Sequence, residues 1–112
     1  MDSVMTPAAR GDHMGVPEKN EVLAVLKHHK PQFARRYGVT QIGVFGSVAR
    51  GEARPDSDVD IVVRMTKPRL FSMVHIKETL EEALQRRVEI VQYREKMNPF
   101  LKKRIDRDAV YV

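Results

Sequence analysis

The sequence lacks cysteine, a long apolar run and a recognisable export signal, and each absence excludes a class of protein. Without cysteine the chain has no disulfide scaffold, no cysteine-based zinc site and no cysteine nucleophile. Its longest apolar runs, such as Val22–Leu26, are about a quarter of the ~20 residues that a membrane helix needs. No charged-then-apolar segment opens the chain, so a secretory signal is not expected. These absences favour a cytoplasmic protein without a membrane span.

The composition is that of a soluble globular domain with a positive balance. The 112 residues allow one domain, with 42% hydrophobic and 31% charged residues. Lysine and arginine total 20 against 15 acidic residues, a formal charge of +5. This excess points weakly to a phosphate-bearing partner, because net charge affects association and solubility and not the fold.

The chain divides into a leader and one domain. Residues 1–16 have no helical or strand periodicity and are interpreted as a mobile leader, whereas residues 17–112 form the predicted domain. Its first helix is predicted from Pro17 to Tyr37, with apolar side chains at three- and four-residue spacing. Pro31 lacks a backbone donor and is expected to kink or split this helix. Gly38 is a natural end point.

The rest of the domain alternates strands and helices. Strands are predicted at 40–45, 58–63 and 88–93, and helices at 70–86 and 99–109, with Asn98 as N-cap. A short helical turn and a loop fill 47–55, and 110–112 extends or covers a sheet edge. This order predicts a mixed, two-layer α+β fold: a small mixed sheet of at least three strands with helices packed on it.

The first chemical signal is the pair Gly46-Ser47, which ends an apolar strand and opens a helical turn. Glycine permits a close approach to the backbone, and amides at a helix start favour an anion. The pair could hold the terminal phosphates of a nucleotide. The alternative, favoured for a lone Gly-Ser pair, is an ordinary strand-to-helix turn with Ser47 as N-cap.

The second signal is Asp58-Val59-Asp60. Side chains two apart on a strand share a face, so these two carboxylates repel each other unless a hard cation such as Mg²⁺ lies between them. The alternative is a solvated acidic loop. Glu89 is a lone acid in an apolar strand, and it would complete a three-carboxylate set if that strand lay beside Asp60 in register. Otherwise it is a half-exposed edge residue.

Two competing motifs fail at defining positions. A P-loop needs lysine and then serine or threonine after Gly51, where the chain has Glu52 and Ala53. A calcium loop beginning at Asp56 needs glycine where the chain has Ile61. The four histidines have no metal-ligand spacing with one another.

The joint pattern resembles a known family. The strand, Gly46-Ser47, the Asp58 and Asp60 pair ten residues later and the later Glu89 are similar to the signature of the polymerase-beta-like nucleotidyltransferases. The string GSVARGEARPDSDVDIVV resembles its minimal nucleotidyltransferases (MNT), and the likeness extends over residues 21–112. The departures are Glu89, where aspartate is common, and Gln85, where a glycine is common and a tighter or shifted turn is expected.

The resemblance implies an enzyme that transfers AMP from ATP, with two Mg²⁺ ions, to an acceptor hydroxyl. Gly46 and Ser47 would hold the phosphates, and Asp58, Asp60 and Glu89 would be the metal-binding and catalytic residues. Arg50 would contact phosphate, or instead form a surface salt bridge to Glu52 or Asp56.

The resemblance also implies a partner. Minimal nucleotidyltransferases often act as antitoxins that AMPylate a tyrosine of a HEPN-type RNase toxin, so such a toxin, in an oligomer with this chain, is the leading acceptor. Two alternatives stay open: a non-catalytic antitoxin that neutralises by binding through its basic C-terminal helix, and transfer to a small molecule in a pocket completed by a partner chain. Direct nucleic-acid binding is not expected, because few aromatic side chains accompany the basic residues.

Overall fold

The computed structural model describes residues 15–112. The predicted leader, residues 1–16, therefore lies almost entirely outside the described residues. From residue 15 onward, no helix combines the length and the apolar character that crossing a membrane requires.

Within residues 15–112, four helices and four strands follow in the predicted order. The helices are α1 (Lys19–Tyr37), α2 (Gly46–Arg50), α3 (Leu70–Leu84) and α4 (Pro99–Asp108). The strands are β1 (Val39–Phe45), β2 (Val59–Met65), β3 (Val88–Gln92) and β4 (Val110–Tyr111). All three predicted strands are confirmed, and the segment 110–112 supplies a short fourth strand at a sheet edge.

The strands form one mixed sheet in the order β3-β2-β1-β4. The strand β1 is antiparallel to both β2 and β4, whereas β2 and β3 are parallel and joined through α3. Gly43 permits the β4 pairing, because a Cβ there would lie 2.5 Å from the carbonyl oxygen of Val110. The predicted α+β fold, with a small mixed sheet and helices packed on it, is confirmed.

The helices cover the two faces of the sheet, and each face has its own apolar cluster. On one face, α1 and α3 pack through residues such as Leu26, Phe33 and Ile76. On the other face, α4 packs through Ile105 against a cluster that includes Phe45 and Val62. Ile105 is the fully buried residue of α4, so it fixes which side of that helix meets the sheet.

The expected start of α1 was wrong in detail, and of the two expected effects of Pro31 the split is absent. The helix begins at Lys19 with Glu18 as its N-cap residue, so Pro17 precedes the helix and does not occupy its first turn. Pro31 does not split the helix, which continues to Tyr37. Phe33, two residues beyond the proline, is fully buried, and we attribute the continuity to this anchoring of the following turn in the core.

The turn after α3 keeps a left-handed conformation without a glycine. Gln85 has φ 54°, whereas the other described residues with positive φ are glycines, among them Gly38 at the end of α1. The Gln85 side chain donates a hydrogen bond to the carbonyl of Glu82 at 2.8 Å, and its backbone N–H donates to Glu81. These local bonds support a backbone that costs a non-glycine residue about 1–2 kcal/mol.

Candidate active site

The register of the sheet places the predicted acids beside one another. Asp60 in β2 is paired with Glu89 of β3 on one side and with Phe45, the last residue of β1, on the other. Directly paired residues on neighbouring strands share a face, so Asp60 and Glu89 lie on the face that α4 covers. Asp58 immediately precedes β2. The strand pairing that a three-carboxylate set requires, with Glu89 beside Asp60, is therefore present.

Asp60 is the most enclosed of the three acids. Its side chain is 22% exposed, Asp58 is 40% exposed, and Glu89 lies exposed on the edge strand. Burial raises the pKa of Asp60, and repulsion from Glu89 and Asp58 raises it further, while Arg104 lowers it. The site therefore concentrates negative charge that nearby cations only partly offset.

Gly46 lies directly against the side chain of Asp60. Its φ of 75° lies in the left-handed region, and a Cβ added there would overlap the Oδ2 atom of Asp60. The missing side chain lets the Asp60 carboxylate pack directly against the backbone of Gly46. Ser47 is the second residue of α2 and is half-buried, whereas the N-cap position belongs to Phe45. The alternative interpretation of Ser47 as an N-cap is therefore wrong.

A basic residue of α4 approaches the same carboxylate. The Nη2 atom of Arg104 lies 4.0 Å from Oδ2 of Asp60, and its Cζ lies 5.8 Å from the centre of the Phe45 ring. Sequence reasoning grouped Arg104 with the other basic residues of the C-terminal helix and assigned it no place in this site. The sequence signal that could have identified Arg104 is its position immediately before the apolar Ile105, because Ile105 faces the sheet.

Arg50 lies in an ion-pair network with acidic residues. Its Nε donates to Glu52 at 3.0 Å, which is one of the predicted alternatives, and its Nη1 donates to Asp108 at 2.6 Å. Asp108 also accepts two hydrogen bonds from Arg107, and its side chain is only 3% exposed. Arg50 thereby ties α2 to the end of α4, and contact of Arg50 with phosphate stays a prediction.

Replacing Asp108 with asparagine should remove part of the pH dependence of stability. Hydrogen bonds from Arg107 hold the pKa of Asp108 below its ordinary value, with Arg50 adding to the effect. A lowered pKa stabilises the fold above the ordinary carboxyl pKa, and this stability disappears as pH falls through the lowered value. We expect D108N to melt below the wild type at pH 7 and to approach it at strongly acidic pH. Thermal melts across that range measure this; a constant difference would contradict it.

The donor set fits a hard divalent cation, although no such site is ready-made. Among the described residues, no three histidine, aspartate or glutamate side chains are gathered as a metal site. Carboxylate oxygens are nevertheless the ligands that Mg²⁺ prefers, and Asp58 and Glu89 are exposed enough to reorient.

Comparison with known sequences identifies the domain. Residues 26–112 match the family model described as a nucleotidyltransferase domain. The protein adenylyltransferase MntA of Thermococcus cleftensis is 41% identical over 93 residues, which cover 82% of this chain and 93% of the relative. A proposed protein adenylyltransferase of Methanocaldococcus jannaschii is 38% identical over 95 residues, covering 84% and 92% of the two chains.

Solved structures share the same architecture. A proposed minimal nucleotidyltransferase is 37% identical and superposes with a TM-score of 0.61, covering 79% of this chain and 93% of its own. A chain of the toxin–antitoxin complex of an MntA mutant is 18% identical, with a TM-score of 0.62 over 85% of this chain and 72% of its own, and supports the fold alone. By sequence and by fold, the chain belongs to the minimal nucleotidyltransferase family.

Proposed function

We propose that this protein is an antitoxin that transfers AMP from ATP to a hydroxyl group of a HEPN-type RNase toxin. The observation that carries the proposal is the pairing of Asp60 with Glu89 across parallel strands, with Gly46 at the start of α2 lying directly against the Asp60 carboxylate. A cluster of carboxylates that repel one another has little structural purpose unless cations and phosphates occupy it.

The proposed reaction is an in-line displacement at the α-phosphorus of ATP. A bond forms between the acceptor oxygen and phosphorus, the bond to the bridging oxygen breaks, and pyrophosphate leaves. Gly46 and Ser47 hold the outer phosphates, while Glu89 orients the acceptor hydroxyl and takes its proton. Asp58, Asp60 and Glu89 would hold Mg²⁺, which when bound neutralises the charge that develops on the phosphate oxygens.

The names of related proteins support this choice of substrate. The relative from Thermococcus cleftensis is named a protein adenylyltransferase. One structural neighbour is a toxin–antitoxin complex with AMP-PNP, with a TM-score of 0.62. Another holds a tri-AMPylated HEPN toxin of Shewanella oneidensis with its MNT antitoxin, with a TM-score of 0.54. The reaction is proposed for the cytoplasm.

Transfer of label from ATP tests the proposal. The purified protein is incubated with Mg²⁺, ATP labelled at the α-phosphorus and a purified HEPN-type RNase, and the RNase is examined for label and for loss of RNA cleavage. We expect label on the RNase and loss of its cleavage activity, both dependent on Mg²⁺. Neutralisation without label would instead favour the non-catalytic antitoxin. Label on a small molecule in place of the RNase would contradict the proposed acceptor.

A further inference from the structure

Arg104 reaches the candidate active site from α4, an element that carries none of the predicted site residues. Its guanidinium lies 4.0 Å from Oδ2 of Asp60, near the ring of Phe45, and its side chain is 49% exposed. At that distance the two groups attract each other without a short hydrogen bond. Arg104 is therefore placed beside the carboxylate but is not locked to it.

The position of Arg104 follows from the packing of α4. Ile105, its neighbour in sequence, is fully buried against Phe45, Val62 and Tyr93. The anchored helix therefore fixes the backbone of Arg104 at the edge of this cluster, while the long side chain stays free to turn. The side chain can exchange one anionic partner for another without a change in the fold.

The other cations near the site pair with acids other than Asp60. Arg50 pairs with Glu52 and Asp108, and Arg107 pairs with Asp108. Arg87 lies 3.7 Å from Asp58 at the outer edge, with its side chain 82% exposed. Within the described part of the chain, Arg104 is the cation that salt-bridges to Asp60.

We propose that Arg104 is a nucleotide-binding residue that exchanges partners during loading. In the free protein it partly neutralises Asp60, and once a divalent cation binds there it turns to the polyphosphate of ATP. This inference rests on the proposed function. The physical reason is that a cation at Asp60 repels the guanidinium, whereas the arriving phosphates attract it. The planar fork of arginine suits phosphate oxygens, because it can donate two parallel hydrogen bonds.

The exchange predicts effects of opposite sign for R104A. Without nucleotide, the variant should bind Mn²⁺ about two- to fivefold more tightly than the wild type, because a competing cation is gone. With Mg²⁺ present, it should bind ATP about tenfold or more weakly, because charged hydrogen bonds to phosphate are lost. Electron paramagnetic resonance of free Mn²⁺ measures the first constant and calorimetry with ATP the second.

Two further variants separate the exchange from general electrostatics. K103A removes one exposed positive charge from the neighbouring position of α4 and should leave both constants close to the wild type. R104K keeps the charge but loses the fork, so it should retain wild-type Mn²⁺ affinity and still weaken ATP binding. If R104A does not fold, R104K provides the test of ATP binding in its place.

Three results would overturn the inference: unchanged ATP affinity in R104A, the same loss in R104A and K103A, or weaker ATP binding without tighter Mn²⁺ binding. These constants are measured without an acceptor. A failure of the proposed function, seen as no labelled RNase, is therefore distinguishable from a failure of this inference.

Discussion

The variant D60N is expected to lose nucleotidyl transfer by about 10³-fold or more while remaining folded. Asp60 is the most enclosed of the three acids; it is paired with Glu89 and lies directly against Gly46. An asparagine keeps the shape but supplies no negative charge to a divalent cation. Loss of the several kcal/mol that a bound metal contributes to the transition state corresponds to a rate loss of this size. The labelled-ATP assay measures it.

The same variant should be as stable as the wild type or more stable at neutral pH without metal. Burial, with repulsion from Glu89 and Asp58, raises the pKa of Asp60. A raised carboxyl pKa means that the ionised form is disfavoured in the fold, so the wild type loses stability as pH rises through the titration of Asp60. D60N avoids that loss. Its advantage should therefore be present near pH 7 and disappear below the ordinary carboxyl pKa.

Asp56 provides a matched control for this experiment. It is an exposed acid in the turn that precedes β2, and it is not one of the three site acids. D56N makes the same chemical change and should retain wild-type transfer and melting temperature. If D60N melted far below the wild type at pH 7, Asp60 would be a structural residue of the core. If D60N transferred AMP as well as D56N, its proposed metal-binding role would be wrong.

The Asp58 and Asp60 pair could be predicted from the sequence because it depends on strand geometry alone, whereas the place of Glu89 depended on which strands pair. A period of two places Asp58 and Asp60 on one face of any strand, and the isolated Glu89 in an apolar strand needed only a parallel neighbour in register. The helix start at Pro99 was equally local, since the Asn98 side chain accepts hydrogen bonds from the next two free backbone amides, at 2.9 and 3.1 Å. The acid pair and this helix cap need no knowledge of tertiary packing.

The contacts that α4 makes with the candidate active site could not be predicted, because they depend on how that helix is rotated against the sheet. Its basic residues look alike in the sequence, yet Arg104 faces Asp60 whereas Arg107 pairs with Asp108. The pairing of Arg50 with Asp108 joins residues 58 positions apart. Pro31 and Gln85 show the same limit, because tertiary packing and local side-chain bonds tolerate residues that local preferences disfavour.

The variants G46A and G51A should have similar losses of stability but very different activities. The two glycines begin and follow α2, with φ of 75° and 73° respectively, so an alanine at either position bears the left-handed backbone cost of about 1–2 kcal/mol. At Gly51 the new methyl group meets nothing within 4 Å. At Gly46 it overlaps Oδ2 of Asp60 and must displace that carboxylate.

Comparing the transfer activities of these two variants separates the effect of the close approach between Gly46 and Asp60 from the effect of backbone strain. A displacement of about 1 Å at a reacting centre costs about 10²-fold in rate, so G46A should transfer AMP at roughly a hundredth of the wild-type rate. G51A should stay within a few-fold of the wild type when both are assayed well below their melting temperatures. Denaturant unfolding checks that their stabilities match. Equal activity in the two variants would show that Gly46 serves only the turn, and that its close approach to Asp60 is not needed for the reaction.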